Sequence, residues 1–166
     1  MEFSAGTTLK ISDRVAGLLL LLYAQRIATI TQLTVDDVHD DGDTVAITFG
    51  RVPVTLPDPL AALVQELVAT RKGGNIITAP DGKPWLFLGK RPGHPLGDDA
   101  LGNRLQRIGL NPRQDRSTAL FALATELPAA MLARMLGIHI AVAVQWQRAS
   151  SGDWAAYAAD VSRRTR

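Results

Sequence analysis

The spacing of apolar and polar positions changes character several times along this chain. Residues 14–25 are apolar on nearly every side of a helical wheel, which predicts a helix central to the core, with Ser12 or Asp13 as its cap. A short second helix is expected over 28–33. From 35 to 56 the chain turns to strand chemistry. Alternation of β-branched residues over 44–49 and 52–56, around a tight link at Gly50 and Arg51, predicts an antiparallel hairpin. Helical spacing returns over 57–72, where Asp58 is placed to cap, Pro59 lies in the first turn and Arg71 and Lys72 close the last. Residues 73–97 read as loop, with at most a strand at 85–88. Helical patterns then fill 98–109, 117–126, 127–137, 141–149 and 153–164. This order predicts a mostly α domain with a small antiparallel β-sheet at one edge, an α+β arrangement.

Composition narrows the setting. A chain of 166 residues with 46% apolar content buries one core, expected over 13–162 between a tail at 1–12 and a basic tail at 163–166. The absence of cysteine excludes disulfides, thiolate metal sites and a thiol nucleophile, and it suits a reducing, cytoplasmic setting. The longest apolar run, 15–24, falls short of the roughly 20 residues that cross a bilayer, so no membrane is expected as partner. A formal charge of +2 hides an uneven distribution: five acids crowd into 36–43, whereas 83–116 holds seven cations against three acids. The second stretch hints at an anionic partner.

Familiar motifs fail on inspection. A calcium loop counted from Asp37 puts His39 at its third position and Thr48 at its twelfth, where a carboxylate is needed. The glycines around Lys90 lack the spacing and the strand-to-helix setting of a phosphate loop. His39, His94 and His139 are scattered without the i, i+4 pairing of helical metal sites, so neither metal nor cofactor is expected. No glycine-flanked serine precedes a helix as a hydrolase nucleophile would.

What remains is a set of positions. "LLLLLYAQRIATITQLTVDDV", followed by a hairpin and "GRVPVTLPDPLAALV", resembles the opening of the catalytic domain of tyrosine recombinases, the phage integrase family. "RQDRSTALFALATELPAAMLARMLGIH" resembles the family's second cluster, a histidine-x-x-arginine, a helix pair and a leucine-glycine-histidine step. The resemblance covers 13–148. It implies catalytic arginines at Arg26 and Arg116 and a histidine at His139, twenty-three positions after Arg116.

The implied chemistry is attack of a tyrosine oxygen on a DNA phosphodiester. Two arginines hold the non-bridging oxygens as charge builds, and a hairpin lysine protonates the leaving hydroxyl. This chain departs from that pattern. Arg113 replaces the first histidine, Arg51 is the cation nearest the lysine position, and Thr29 stands where an acid is common. A guanidinium, with pKa above about 12, is a poor proton donor. The tyrosine position, nine beyond His139, is Arg148; the chain's tyrosines are Tyr23 and Tyr157, the latter eighteen beyond His139.

Plainer readings stand beside these. Arg26 could neutralise a helix carboxyl end, Arg113 and Arg116 could be solvated loop residues, His139 a turn residue after a helix-ending glycine, and Tyr157 a packing residue. The favoured expectation is a degenerate recombinase-type domain that binds duplex DNA through Arg26, Arg51, Lys90, Arg91, Arg113 and Arg116, with strand cleavage impaired. Alternatives are an active recombinase using Tyr157, or a neighbouring protomer's nucleophile, and a protein-interaction domain that no longer meets DNA. The family's separate DNA-clamping domain cannot be supplied by 1–12, which implies a fragment or a partner protein, with oligomers expected only on DNA.

Overall fold

The computed structural model describes residues 9–72, 84–91 and 93–164, with residues 72 and 152–161 in backbone only. Among the described residues, seven helices and a three-stranded sheet follow the order α1 (Ile11–Tyr23), α2 (Ile27–Thr31), a 3-10 turn (Val35–Asp37), β1 (Val38–Asp40), β2 (Val45–Ile47), β3 (Val54–Thr55), α3 (Leu60–Lys72), α4 (Asp98–Arg107), α5 (Pro112–Glu126), α6 (Ala129–Leu136) and α7 (Ile140–Arg164). The mostly α expectation with a small antiparallel sheet holds. None of the helices, among the described residues, is long and apolar enough to cross a membrane.

Two apolar clusters organise the interior. One gathers Val15, Leu19 and Leu20 of α1 with Ile30, Ile47, Val64, Leu101 and Leu105. The other gathers Leu120, Leu132, Leu136 and Ala143 of the C-terminal helices around Ala24. Tyr23 packs against both, so the end of α1 is the seam between them. That position explains the apolar residues on the buried side of α1, whereas Leu21 and Leu22 remain exposed.

Several boundaries move, each for a local reason. The cap of α1 is Lys10 rather than Ser12 or Asp13; Asp13 lies inside the first turn, buried, 3.6 Å from Arg104. The sheet gains a strand, β1, which pairs Val38 with Ile47 and hid within the acid-rich stretch. β2 and β3 pair antiparallel as expected, Ile47 opposite Val54, but the link between them is the loop 48–53 rather than two residues. Trp85 and Leu88 make single bridges, to Thr34 and Pro95, instead of a strand over 85–88. The stretch 73–83 lies outside the described residues.

Helix α5 starts five residues before the expected 117. Asn111 accepts the amide of Gln114 at 3.3 Å, its own amide donates to Asp115 at 2.8 Å, and Pro112 opens the helix. Arg113 and Arg116 therefore ride on a helix rather than a loop. The two helices expected over 141–149 and 153–164 are one, α7, despite Ser150 and Gly152. Buried Ser150 returns its hydroxyl to the carbonyl of Gln147 at 2.9 Å, so it does not break the helix.

Candidate functional site

The turn after α1 sets up the site. Ala24 takes the left-handed conformation, φ 52°, while 4% exposed, and its amide caps the carbonyl of Leu20 at 3.1 Å. This uncommon backbone for alanine turns the chain so that Arg26 becomes the N-cap of α2, exposed, with extended dihedrals. A cation there gains nothing from the α2 dipole, whose positive end it faces. α2 is too short to persist alone and is held by α4: buried Thr31 donates to Asp98 at 2.7 Å, and Ile27 packs where α4 has only Gly102.

Arg116 meets this turn from the other cluster. Its Nε donates to the carbonyl of Ala24 at 3.0 Å, across 92 positions of sequence. Burial first, and the charge of Arg26 second, lower its pKa from the ordinary arginine value. Two guanidinium groups are thus held close enough to repel. Among the described residues no carboxylate pairs with either; the ion pair found there joins Arg104 to Asp13.

Arg26, Thr29, Arg116, Ile138, His139 and Val142 face a common cleft of about 270 Å³. His139 follows the left-handed Gly137 cap of α6, φ 72°, at the start of α7. Its Nδ1 accepts the amide of Ala141 at 3.1 Å, which assigns the proton of the neutral ring to Nε2. Among the described residues no acid lines this cleft. The arrangement offers two forks and one ring N–H to an oxyanion.

A second cleft, about 330 Å³, also reaches His139 and is lined by Arg51, Arg134, Ile138 and His139 with two alanines and Ile140. The 48–53 loop docks here: the Arg51 amide donates to the Arg134 carbonyl at 2.9 Å. A Cβ on Gly50 would collide with that same carbonyl and come within 2.6 Å of the Gly137 amide nitrogen. Arg134 was missed by sequence reasoning. A cation in the last turn of α6, five positions before His139, was the available signal.

Other candidates lie elsewhere. Lys90 and Arg91 line a separate cleft of about 580 Å³ with Lys10, His94, Arg104 and Arg107, which shares no residue with the first two. Arg113 is exposed in the first turn of α5 and lines neither cleft. Arg148 is exposed on α7, and its neighbour Gln147 donates to the Leu127 carbonyl at 3.4 Å. Tyr23 packs on Phe49, ring centres 5.6 Å apart, with its pKa raised by burial. The Tyr157 side chain lies outside the described residues. Its backbone belongs to α7, eighteen residues beyond His139, about 27 Å along the helix at about 1.5 Å per residue.

No family model and no curated protein matches this sequence. Solved structures do. The crystal structure of XerA recombinase superposes with a TM-score of 0.57 at 12% identity, covering 86% of this chain and 60% of XerA. The XerH site-specific recombinase bound to palindromic difH substrate, a post-cleavage complex, gives 0.63 at 15%, covering 95% of this chain and 47% of XerH. This is the fold of a tyrosine recombinase catalytic domain. The Tn1549 transposon integrase, in complex with circular intermediate DNA, shares that recombinase fold at a TM-score of 0.61 and 18% identity, over 85% of this chain and 55% of the integrase. The chain therefore spans between about half and three-fifths of the length of these recombinase structures.

Proposed function

We propose that this domain binds duplex DNA by gripping a backbone phosphate between Arg26, Arg116 and His139, and that strand cleavage within a single chain is impaired. One observation carries the reading: two arginines ninety positions apart in sequence face one acid-free cleft together with a ring N–H. An arginine pair left without carboxylates is costly unless an anion completes it, and a phosphodiester presents two non-bridging oxygens that suit paired forks. With its Nε engaged by Ala24, Arg116 has its two terminal nitrogens left to bind that anion. His139 Nε2 adds a third donor.

The same geometry supports impaired chemistry. Arg51 occupies the hairpin loop where the resemblance implies a lysine, and a guanidinium cannot release a proton to a leaving hydroxyl near neutral pH. Among the described residues no tyrosine side chain lines either cleft, and the backbone of Tyr157 lies several helical turns along α7. Phosphate contacts alone position the protein without reading bases, so binding is expected to be weakly dependent on sequence.

The test is a fluorescence-anisotropy titration of a duplex across a salt series, with a nicked suicide duplex alongside. Affinity should fall steeply with salt, by about 0.9 log units per decade for each phosphate engaged, and no detergent-stable protein–DNA adduct should form. Salt-insensitive or absent binding would leave the protein-interaction reading standing instead. An adduct that disappears in Tyr157→Phe would establish an active strand-exchange enzyme.

A further inference from the structure

We propose that the cleft between the 48–53 loop and the end of α6 is a second phosphate subsite, in which Arg51 and Arg134 hold the phosphate adjacent to the one gripped by Arg26 and Arg116 on the same strand. The inference rests on the DNA-binding reading above and extends it to a residue, Arg134, with no place in the first cleft.

Three observations carry it. First, the two clefts adjoin, with the consecutive residues Ile138 and His139 lining both. Successive phosphates of one strand are likewise close neighbours, advancing about 3.4 Å along the duplex axis per nucleotide. Second, the joint that carries both cations is fixed in its backbone. The Arg51 amide is bonded to the Arg134 carbonyl, and neither Gly50 nor left-handed Gly137 has room for a Cβ at this contact. Third, the ordinary role of an arginine at a helix C-terminus is already filled by backbone. The Arg134 carbonyl is taken by the Arg51 amide and the Ala133 carbonyl by the Gly137 amide, at 2.9 and 3.1 Å. Both side chains are exposed, no acid lines their cleft, and among the described residues neither has an ion-pair partner. His139 lines both clefts and stands between the two subsites.

The experiment uses the full chain and a duplex in which single phosphates of one strand are replaced, one at a time, by neutral methylphosphonates. Arg134→Ala and Arg51→Ala should each weaken binding about eightfold at 0.1 M salt relative to 1 M, the effect of one lost counterion release. Each should also respond less than wild type to neutralisation at one position, next to the position at which the response of Arg26→Ala is reduced. Arg134→Lys should restore the salt dependence. The exposed side chains make misfolding easy to exclude by circular dichroism. Wild-type binding in Arg134→Ala, with Arg26→Ala weakened, would overturn the second subsite and leave the first intact. The same outcome for the subsite follows if Arg134→Ala and Arg26→Ala map to one phosphate. Unchanged binding in all three alanine variants would overturn the DNA-binding reading itself.

Discussion

Arg26 and Arg116 face one cleft but should respond oppositely to mutation, because only one of them is tied to the fold. Arg116→Lys keeps the charge and removes the Nε bond to the Ala24 carbonyl. A hydrogen bond from a charged donor contributes about 1.5–3 kcal/mol, and at a half-buried site the lower end applies, about 1.5–2 kcal/mol. For a domain of this size that is a fall in Tm of roughly 3–6 °C. Arg26→Ala removes an exposed side chain with no ion-pair partner among the described residues, and with it a like charge that disfavours the charged form of Arg116. Its Tm should hold or rise slightly. The charge cost is present at every working pH, since lowering a base's folded pKa penalises its protonated form at all pH values below it. An anion should relieve it. Scanning calorimetry with and without sulfate, beside DNA titrations at several salt concentrations, separates the roles. Sulfate should raise the wild-type Tm and barely move Arg26→Ala. Arg26→Ala should lose about 0.9 from the salt slope, whereas Arg116→Lys should keep the slope and lose affinity. If Arg26→Ala proves the more destabilised of the two, Arg26 belongs to the scaffold and the cradle argument is wrong.

Two further substitutions probe the frame around the site. Gly50→Ala puts a methyl against backbone atoms of Arg134 and Gly137 that cannot yield, and should cost about 1–3 kcal/mol in urea denaturation while also weakening DNA binding; a wild-type urea midpoint would show that the loop is not docked on α6. Asp41 accepts the amides of Thr44 and Asp43 at 2.8 and 2.9 Å, chiefly the former, which lowers its pKa below the ordinary carboxylate value. The stabilisation is therefore present above that value and lost as pH falls through the lowered one, so the gap between wild type and Asp41→Asn in urea midpoint should close in acid; an equal gap at pH 2 and pH 7 would refute this.

Much of the frame was legible locally. The α1 pattern, the alternation behind β2 and β3, the amphipathic α3 and the Gly137 stop all follow from periodicity and backbone preference, which neighbouring residues decide. The intervals from Arg26 to Arg116 to His139 were also readable, because the resemblance fixes order and spacing. The start of α5 is encoded in Asn111, Pro112 and Asp115, a local capping signal that places Arg113 and Arg116 on the helix and not in a loop.

What the sequence determined by itself, then, is most of the helices, the pairing of β2 with β3 and the order in which cations occur along the chain. Only the tertiary structure decided which cations share a cleft. The left-handed turn at Ala24 and its bond to Arg116 join two apolar clusters at the point where Arg26 emerges. The absence of a side chain on Gly50 lets the strand loop reach α6 and sets Arg51 beside Arg134. Lys90 and Arg91, as basic as any in sequence, fall on a different cleft. Charge at a point in space depends on how long-range contacts close, and hydrophobic periodicity, which records only which face is buried, carries no information about that.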